Sequence, residues 1–128
     1  MENTRKQILV ADDDFDYLEQ MKIYIESFGY EFIKAESQKE CEELLETLKP
    51  DLAILDLMME NEDSGFILAY KIKKMHEDVP VIIATSVSAE TGINFDNEAN
   101  SWIKADKMME KGIRADQLKR EIDKLLNI

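Results

Sequence analysis

Short apolar runs alternate with helix-patterned segments along the whole chain, and this alternation restricts the fold more than any other feature. The first run, Gln7-Ile8-Leu9-Val10-Ala11, closes on Asp12-Asp13-Asp14. It is apolar on both faces, which suits a strand buried between layers of helix. Phe15, Leu18, Met21, Ile25 and Phe28 then recur at spacings of three and four, the core stripe of an amphipathic helix, and Gly29 supplies a left-handed stop. The second unit pairs a more exposed strand, Glu31–Ala35, with a helix striped by Cys41, Leu44, Leu45 and Leu48. Ser37 and Glu40 have the spacing of a capping box, and Pro50 prevents continuation. The third strand, Asp51–Asp56, ends on an acid and leads through the polar loop Glu60–Gly65 to a helix over Phe66–Met75. The fourth strand, Val81–Ala84, ends on Thr85-Ser86; a short fifth strand spans about Lys107–Glu110. Leu118, Ile122, Leu125 and Leu126 define a last helix, while residues 87–104 carry no clean periodicity.

Such repeated strand–helix units imply a parallel sheet covered on both faces, with right-handed crossovers. Five strands fit the doubly wound order 2-1-3-4-5, in which ligands bind at the carboxyl ends of the strands, near the reversal of strand order. The chain has 128 residues, the size of one domain. We read residues 1–6 as an N-terminal tail and 7–128 as that domain, with no output domain attached. The balance of 28 acidic against 16 basic residues gives a net charge of −12, which repels phosphate backbones, so direct nucleic-acid binding is not expected. No apolar run approaches the roughly 18–20 residues of a membrane span. Residues Met1–Lys6 lack the apolar stretch of a signal peptide. With the single cysteine, Cys41, read as a small core residue, this points to a reducing cytoplasm.

In the 2-1-3-4-5 order, strands 1 and 3 are neighbours, so Asp12, Asp13 and Asp56 converge at one edge. Like charges at that range repel by several kcal/mol unless a proton or a cation intervenes. A small set of oxygen ligands without His or Cys favours Mg²⁺, which keeps waters and combines carboxylates with phosphate. Thr85 and Lys111 end strands 4 and 5 and approach the same cleft. A hydroxyl and an ammonium there can hold the oxygens of a phosphoryl group, and an aspartate between cation and lysine can accept that group.

These pieces, Ile8–Asp14, Pro50–Met59, Pro80–Ser86 and Met109–Gly112, resemble in order and register the receiver domain of two-component response regulators. The resemblance covers about Gln7 to Leu126 and implies a flavodoxin-like fold. By position it implies Asp56 as phosphoacceptor, Asp12 and Asp13 as the acidic pair that holds Mg²⁺, and Asp13 as the more direct ligand. It also implies the Met58 carbonyl as the remaining protein ligand, and Thr85 and Lys111 as the groups that sense the phosphoryl. Lys104 and Lys107 compete for the lysine role; the rhythm of Met109–Ile113 favours Lys111. The family's switch aromatic maps to Met108, with Trp102 nearby as a substitute.

Several residues depart from the family pattern. Glu60 stands where Pro is usual, and Gly65 comes one residue late. Gly112 replaces the Pro that follows the lysine in a cis peptide; cis before a non-proline costs roughly 2.5–4 kcal/mol. Extra residues fall within 88–104, where the family's fourth helix is then short, displaced or irregular. Met58 and Val87 occupy positions that gate water, and two apolar groups there imply slow self-dephosphorylation.

The reading that follows is a phosphorylatable switch. A histidine kinase or a phosphotransfer protein supplies the phosphoryl group, and a downstream protein receives the signal. Two alternatives are a receiver-like adaptor that works without phosphorylation and a small haloacid-dehalogenase-type phosphatase using Asp12 and Asp14. For Asp14 the competing role is the cap of the first helix. His76 reads as a favourable cation at a helix end.

Overall fold

A computed structural model of the chain describes residues 5–61, 63–86 and 105–127. The strands are β1 (Gln7–Ala11), β2 (Glu31–Ala35), β3 (Leu52–Asp56), β4 (Val81–Thr85) and β5 (Lys107–Glu110). The helices are α1 (Phe15–Ser27), α2 (Gln38–Leu45), α3 (Ser64–Met75) and α4 (Ala115–Leu125). All neighbouring strands pair in parallel, in the order β2-β1-β3-β4-β5. The fold is the expected doubly wound sheet.

Alternation along the strands sorts the core into two layers. Ile8, Val10, Leu52, Ile54 and Ile82 point to one face, where Leu18, Met21 and Ile25 of α1 and Leu118 and Ile122 of α4 cover them. Leu9, Ala53, Leu55, Val81 and Ile83 point to the other, under Cys41 and Leu45 of α2 and Leu68 and Ile72 of α3. Because β1, β3 and β4 are buried on both faces, their uninterrupted apolar runs are a requirement of the fold. Tyr30, at the start of β2, donates its hydroxyl hydrogen to Asp123 of α4 and so ties the edge of the sheet to the last helix.

The helix starts follow from local chemistry. Asp14 caps α1, its Oδ1 accepting from the Asp16 and Tyr17 N–H groups at 3.0 and 3.3 Å. Ser37 Oγ accepts from the Glu40 N–H at 3.0 Å, as the capping box requires, but the Glu40 carboxylate reaches the Glu36 N–H instead of that of Ser37. Gly29 adopts φ +94° and ends α1 in the left-handed region. Two details differ from the periodic reading. Phe15 is 61 % exposed, because it opens α1 beyond the cover of the sheet; Tyr17 takes the inward position instead. The second helix stops at Leu45, so Leu48 lies past its end. Among the described residues no peptide is cis, so Lys111–Gly112 is trans. The expected fourth helix within 88–104, with Val87, Trp102 and Lys104, lies outside the described residues.

Replacing Asp14 with Ala removes two hydrogen bonds to orphan amides of α1. The expected loss is about 1 kcal/mol of stability, measured as a shift of the urea midpoint. Uptake of phosphoryl groups is expected to survive the change, which separates a capping role for Asp14 from an acid–base one.

Candidate metal and phosphoryl site

The carboxyl edge of the sheet gathers the acids. Asp12 follows β1 and Asp56 ends β3, the two central strands paired through Ala11 and Leu55. One carboxylate oxygen from each of Asp12, Asp13 and Asp56 lies within 4.8 Å of the others. Asp12 and Asp56 are buried and Asp13 is exposed, so the cluster opens to solvent on one side. Asp12 is held from both ends: its N–H donates to the Ala35 carbonyl at 2.9 Å, and its Oδ1 accepts from the Asp14 N–H at 2.8 Å.

Lys111 closes the pocket from β5. Its Nζ lies 2.6 Å from Asp12 Oδ2 and 3.3 Å from Asp56 Oδ1. Its N–H donates to the Thr85 carbonyl at 3.0 Å, which anchors the lysine to the end of β4. The Tyr17 ring lies beneath the ammonium, 4.8 Å from centroid to Nζ, a cation–π contact that fixes the charge over the cleft. Lys107, the rival within the described residues, pairs instead with Glu121 at 3.6 Å. Thr85 is buried at the end of β4, opposite Glu110 in register. Met108 is half-buried on β5 and packs against the α2–α3 side of the core.

The electrostatics are those of a crowded anionic site. Burial, then the charge of Asp12, pushes the Asp56 carboxyl up to about 6. Burial pulls the Lys111 ammonium down, but its bonds to Asp12 and the charges of Asp12 and Asp56 outweigh this and raise it. Burial, reinforced by Asp12 and Asp56, also holds the Tyr17 hydroxyl well above its ordinary range. Two carboxylates about 4 Å apart repel by about 4 kcal/mol at an effective dielectric near 20. One ammonium offsets only part of that.

The donor set fits a hard divalent cation. All ligand atoms are oxygens, and they are compactly arranged. Asp12 Oδ2 is buried and pairs with the Lys111 ammonium at 2.6 Å. A carboxylate oxygen has a second lone pair, and that is the one a metal ion would take.

The loop after β3 completes the rim. Leu57 N–H donates to the Ala84 carbonyl at 3.1 Å, and Gly65 N–H to the Leu57 carbonyl at 2.8 Å. Met58 lies between, its side chain 47 % exposed. Tyr17 and Gly65 were not singled out by spacing as site residues. The run Tyr17, Met21, Ile25 at intervals of four was the available signal for Tyr17. For Gly65 the signal was its place in the family pattern, one residue late; its close approach to β3 is a matter of packing between elements.

An anionic pocket closed by a lysine lies at the strand-order reversal of a doubly wound sheet, where folds of this class bind their ligands. A family model of the response regulator receiver domain matches residues 8–123, and the chain belongs to that family. Among curated relatives, the phosphate regulon transcriptional regulatory protein PhoB of Pseudomonas aeruginosa is 33 % identical over 87 residues, covering 66 % of this chain and 38 % of PhoB. The alkaline phosphatase synthesis transcriptional regulatory protein PhoP of Bacillus subtilis is 30 % identical over 106 residues, covering 83 % of this chain and 42 % of PhoP. The matches thus span about two fifths of the length of these relatives. A CheY-like receiver domain from Methanospirillum hungatei superposes with a TM-score of 0.83 at 24 % identity, covering 97 % of this chain and 95 % of that one. The response regulator TrrA of Thermotoga maritima, solved with Mg²⁺-BeF, superposes with a TM-score of 0.78 at 29 % identity, covering 94 % of this chain and 98 % of that one. Among the described residues no helix is long and apolar enough to cross a membrane.

Proposed function

We propose that this chain is a phosphorylatable switch in which Asp56 accepts a phosphoryl group from a histidine kinase or a phosphotransfer protein. The observation that carries this reading is the meeting of Asp12, Asp13 and Asp56 with the Lys111 ammonium 3.3 Å from Asp56 Oδ1. Asp12, Asp13, Asp56 and the Met58 carbonyl would hold Mg²⁺. The ion supplies neutralisation of the carboxylates and of the incoming phosphoryl oxygens.

A carboxylate oxygen of Asp56 attacks phosphorus. The bond from phosphorus to the donor imidazole breaks, its electron pair stays on that nitrogen, and an acyl phosphate forms on Asp56. Even when raised to about 6, the Asp56 carboxyl is mostly ionised at neutral pH and can act as nucleophile. Lys111, its ammonium 3.3 Å from Asp56 Oδ1, would pair with a phosphoryl oxygen, and Thr85 at the end of β4 would be the hydroxyl partner. Their new contacts bias a two-state equilibrium of the β4–β5 edge, with Met108 as the half-buried side chain that would move. The signal then leaves through contact with a protein target. The chain makes and loses its own acyl phosphate but turns over no other substrate.

Incubation with Mg²⁺ and acetyl phosphate, followed by intact mass measurement, tests this. One added phosphoryl group is expected, absent in EDTA and absent in Asp56→Asn. A wild-type chain that gains no mass, or an adduct that persists in Asp56→Asn, overturns it. The first of those results would leave the adaptor reading.

A further inference from the structure

The loop between β3 and α3 carries the Met58 carbonyl, and it is pinned on two sides. Inside, the backbone of Gly65 lies against the Asp56–Leu57 peptide, with its N–H on the Leu57 carbonyl. Outside, Glu60 reaches across to the start of α2. Its Oε1 accepts from the Gln38 N–H at 2.7 Å and its Oε2 from the Lys39 N–H at 3.1 Å. Next to it, Asn61 Nδ2 donates to Gln38 Oε1 at 3.1 Å. With Ser37 on the Glu40 N–H, the first turn of α2 is fully capped, and two of its three caps come from a different element. A carboxylate bound through both oxygens to helix-start amides is charge-assisted, favoured by the helix dipole and fixed in direction. Between these two anchors the chain has little room to shift. Among the described residues no donor reaches the Met58 carbonyl.

We propose that Glu60 is a positioning residue for the metal site: by clamping the loop to α2 it holds the Met58 carbonyl where it completes the ligand set. This rests on the reading of the pocket as a Mg²⁺ site. Glu60 is not itself a ligand, since both its oxygens are engaged by α2. Mg²⁺ demands near-octahedral geometry at short distances, whereas Ca²⁺ accepts longer and less regular ones. A loosened carbonyl therefore costs Mg²⁺ more than Ca²⁺. The lost negative charge weakens both cations alike, which separates the two effects. Asp63 lies in the same loop, is exposed and makes no capping bond from its side chain, so Asp63→Asn is the charge control.

The test is calorimetric titration of the full chain with Mg²⁺ and, separately, with Ca²⁺, for wild type, Glu60→Ala, Glu60→Gln and Asp63→Asn. Glu60→Ala is expected to weaken Mg²⁺ about tenfold, in the range of changes that remove a group supporting a metal ligand. Ca²⁺ should weaken by less than about threefold. Glu60→Gln, which keeps one acceptor oxygen, should fall between, and Asp63→Asn should leave the ratio of the two affinities unchanged. Equal losses for both cations, or no loss, overturn the role of Glu60 while leaving the pocket intact. A wild-type chain that binds neither cation overturns the reading of the pocket, and the clamp with it. General loosening of the fold lowers the urea midpoint without changing the Mg²⁺ to Ca²⁺ ratio, so the ratio is the deciding quantity.

Discussion

Gly65→Ala is expected to destabilise the chain by about 2–3 kcal/mol, although Gly65 sits in a helix, where Ala is intrinsically favoured by about 1 kcal/mol. A Cβ at Gly65 would lie 2.7 Å from the Asp56 carbonyl oxygen and 2.8 Å from Leu57 Cα. Both are backbone atoms at the end of a fully buried strand, and neither can turn aside as a flexible side chain would. Either α3 lifts away from β3 or the Asp56–Leu57 peptide is pushed into the pocket. Phosphoryl uptake on Asp56 should therefore fall along with stability. Urea denaturation with an unchanged slope and a lower midpoint is the measurement. Gly112→Ala is the contrast: nothing lies within 4 Å of a Cβ there, and little change is expected. A Gly65→Ala chain as stable as wild type would mean that the close approach does not constrain the fold.

Lys111→Met carries the other large effect. The substitution keeps an apolar stem but removes the only cation beside Asp12 and Asp56 among the described residues. A buried carboxylate stripped of its partner costs about 3–5 kcal/mol. Without divalent cations, the variant should lose about 3 kcal/mol. In millimolar Mg²⁺ the gap should narrow, because a cation that binds only the folded state adds stability by mass action, about 2.7 kcal/mol at a hundredfold excess over Kd. The variant should also bind Mg²⁺ more tightly, since Asp12 Oδ2 no longer faces the ammonium. Denaturation curves in EDTA and in Mg²⁺ measure both. An equal loss in the two conditions would show that Lys111 acts by packing on Tyr17 and not by charge. Phosphoryl transfer should suffer in either case, because the ammonium that pairs with the transferred oxygens is gone.

Gly65 and Lys111 differ in how far their roles are legible along the chain. Strands β1, β3 and β4 were legible because burial on both faces demands uninterrupted apolar runs, and such runs are short and conspicuous. The acids at their ends were legible because a parallel sheet places all carboxyl ends on one edge. Rhythm favours Lys111 over Lys107, and the structure brings the Lys111 ammonium to Asp12 while Lys107 pairs with Glu121. At the start of α1 the periodic stripe includes Phe15 while the structure buries Tyr17, because a helical stripe several residues wide does not say where the cover of the sheet begins.

What the amino-acid order determined alone, then, was the set of strands and helices and their layering; the strand order, and with it the shared edge of the acids, followed from the common doubly wound pattern and the family resemblance. The elements depend on periodicity and on local capping, which act between residues close in sequence. The tertiary structure alone decided the Tyr17 ring beneath Lys111, the approach of Gly65 to the Asp56–Leu57 peptide and the reach of Glu60 to α2. Each joins elements distant along the chain, and its distance is set by how helices settle on the sheet. No pattern within a single segment encodes that packing.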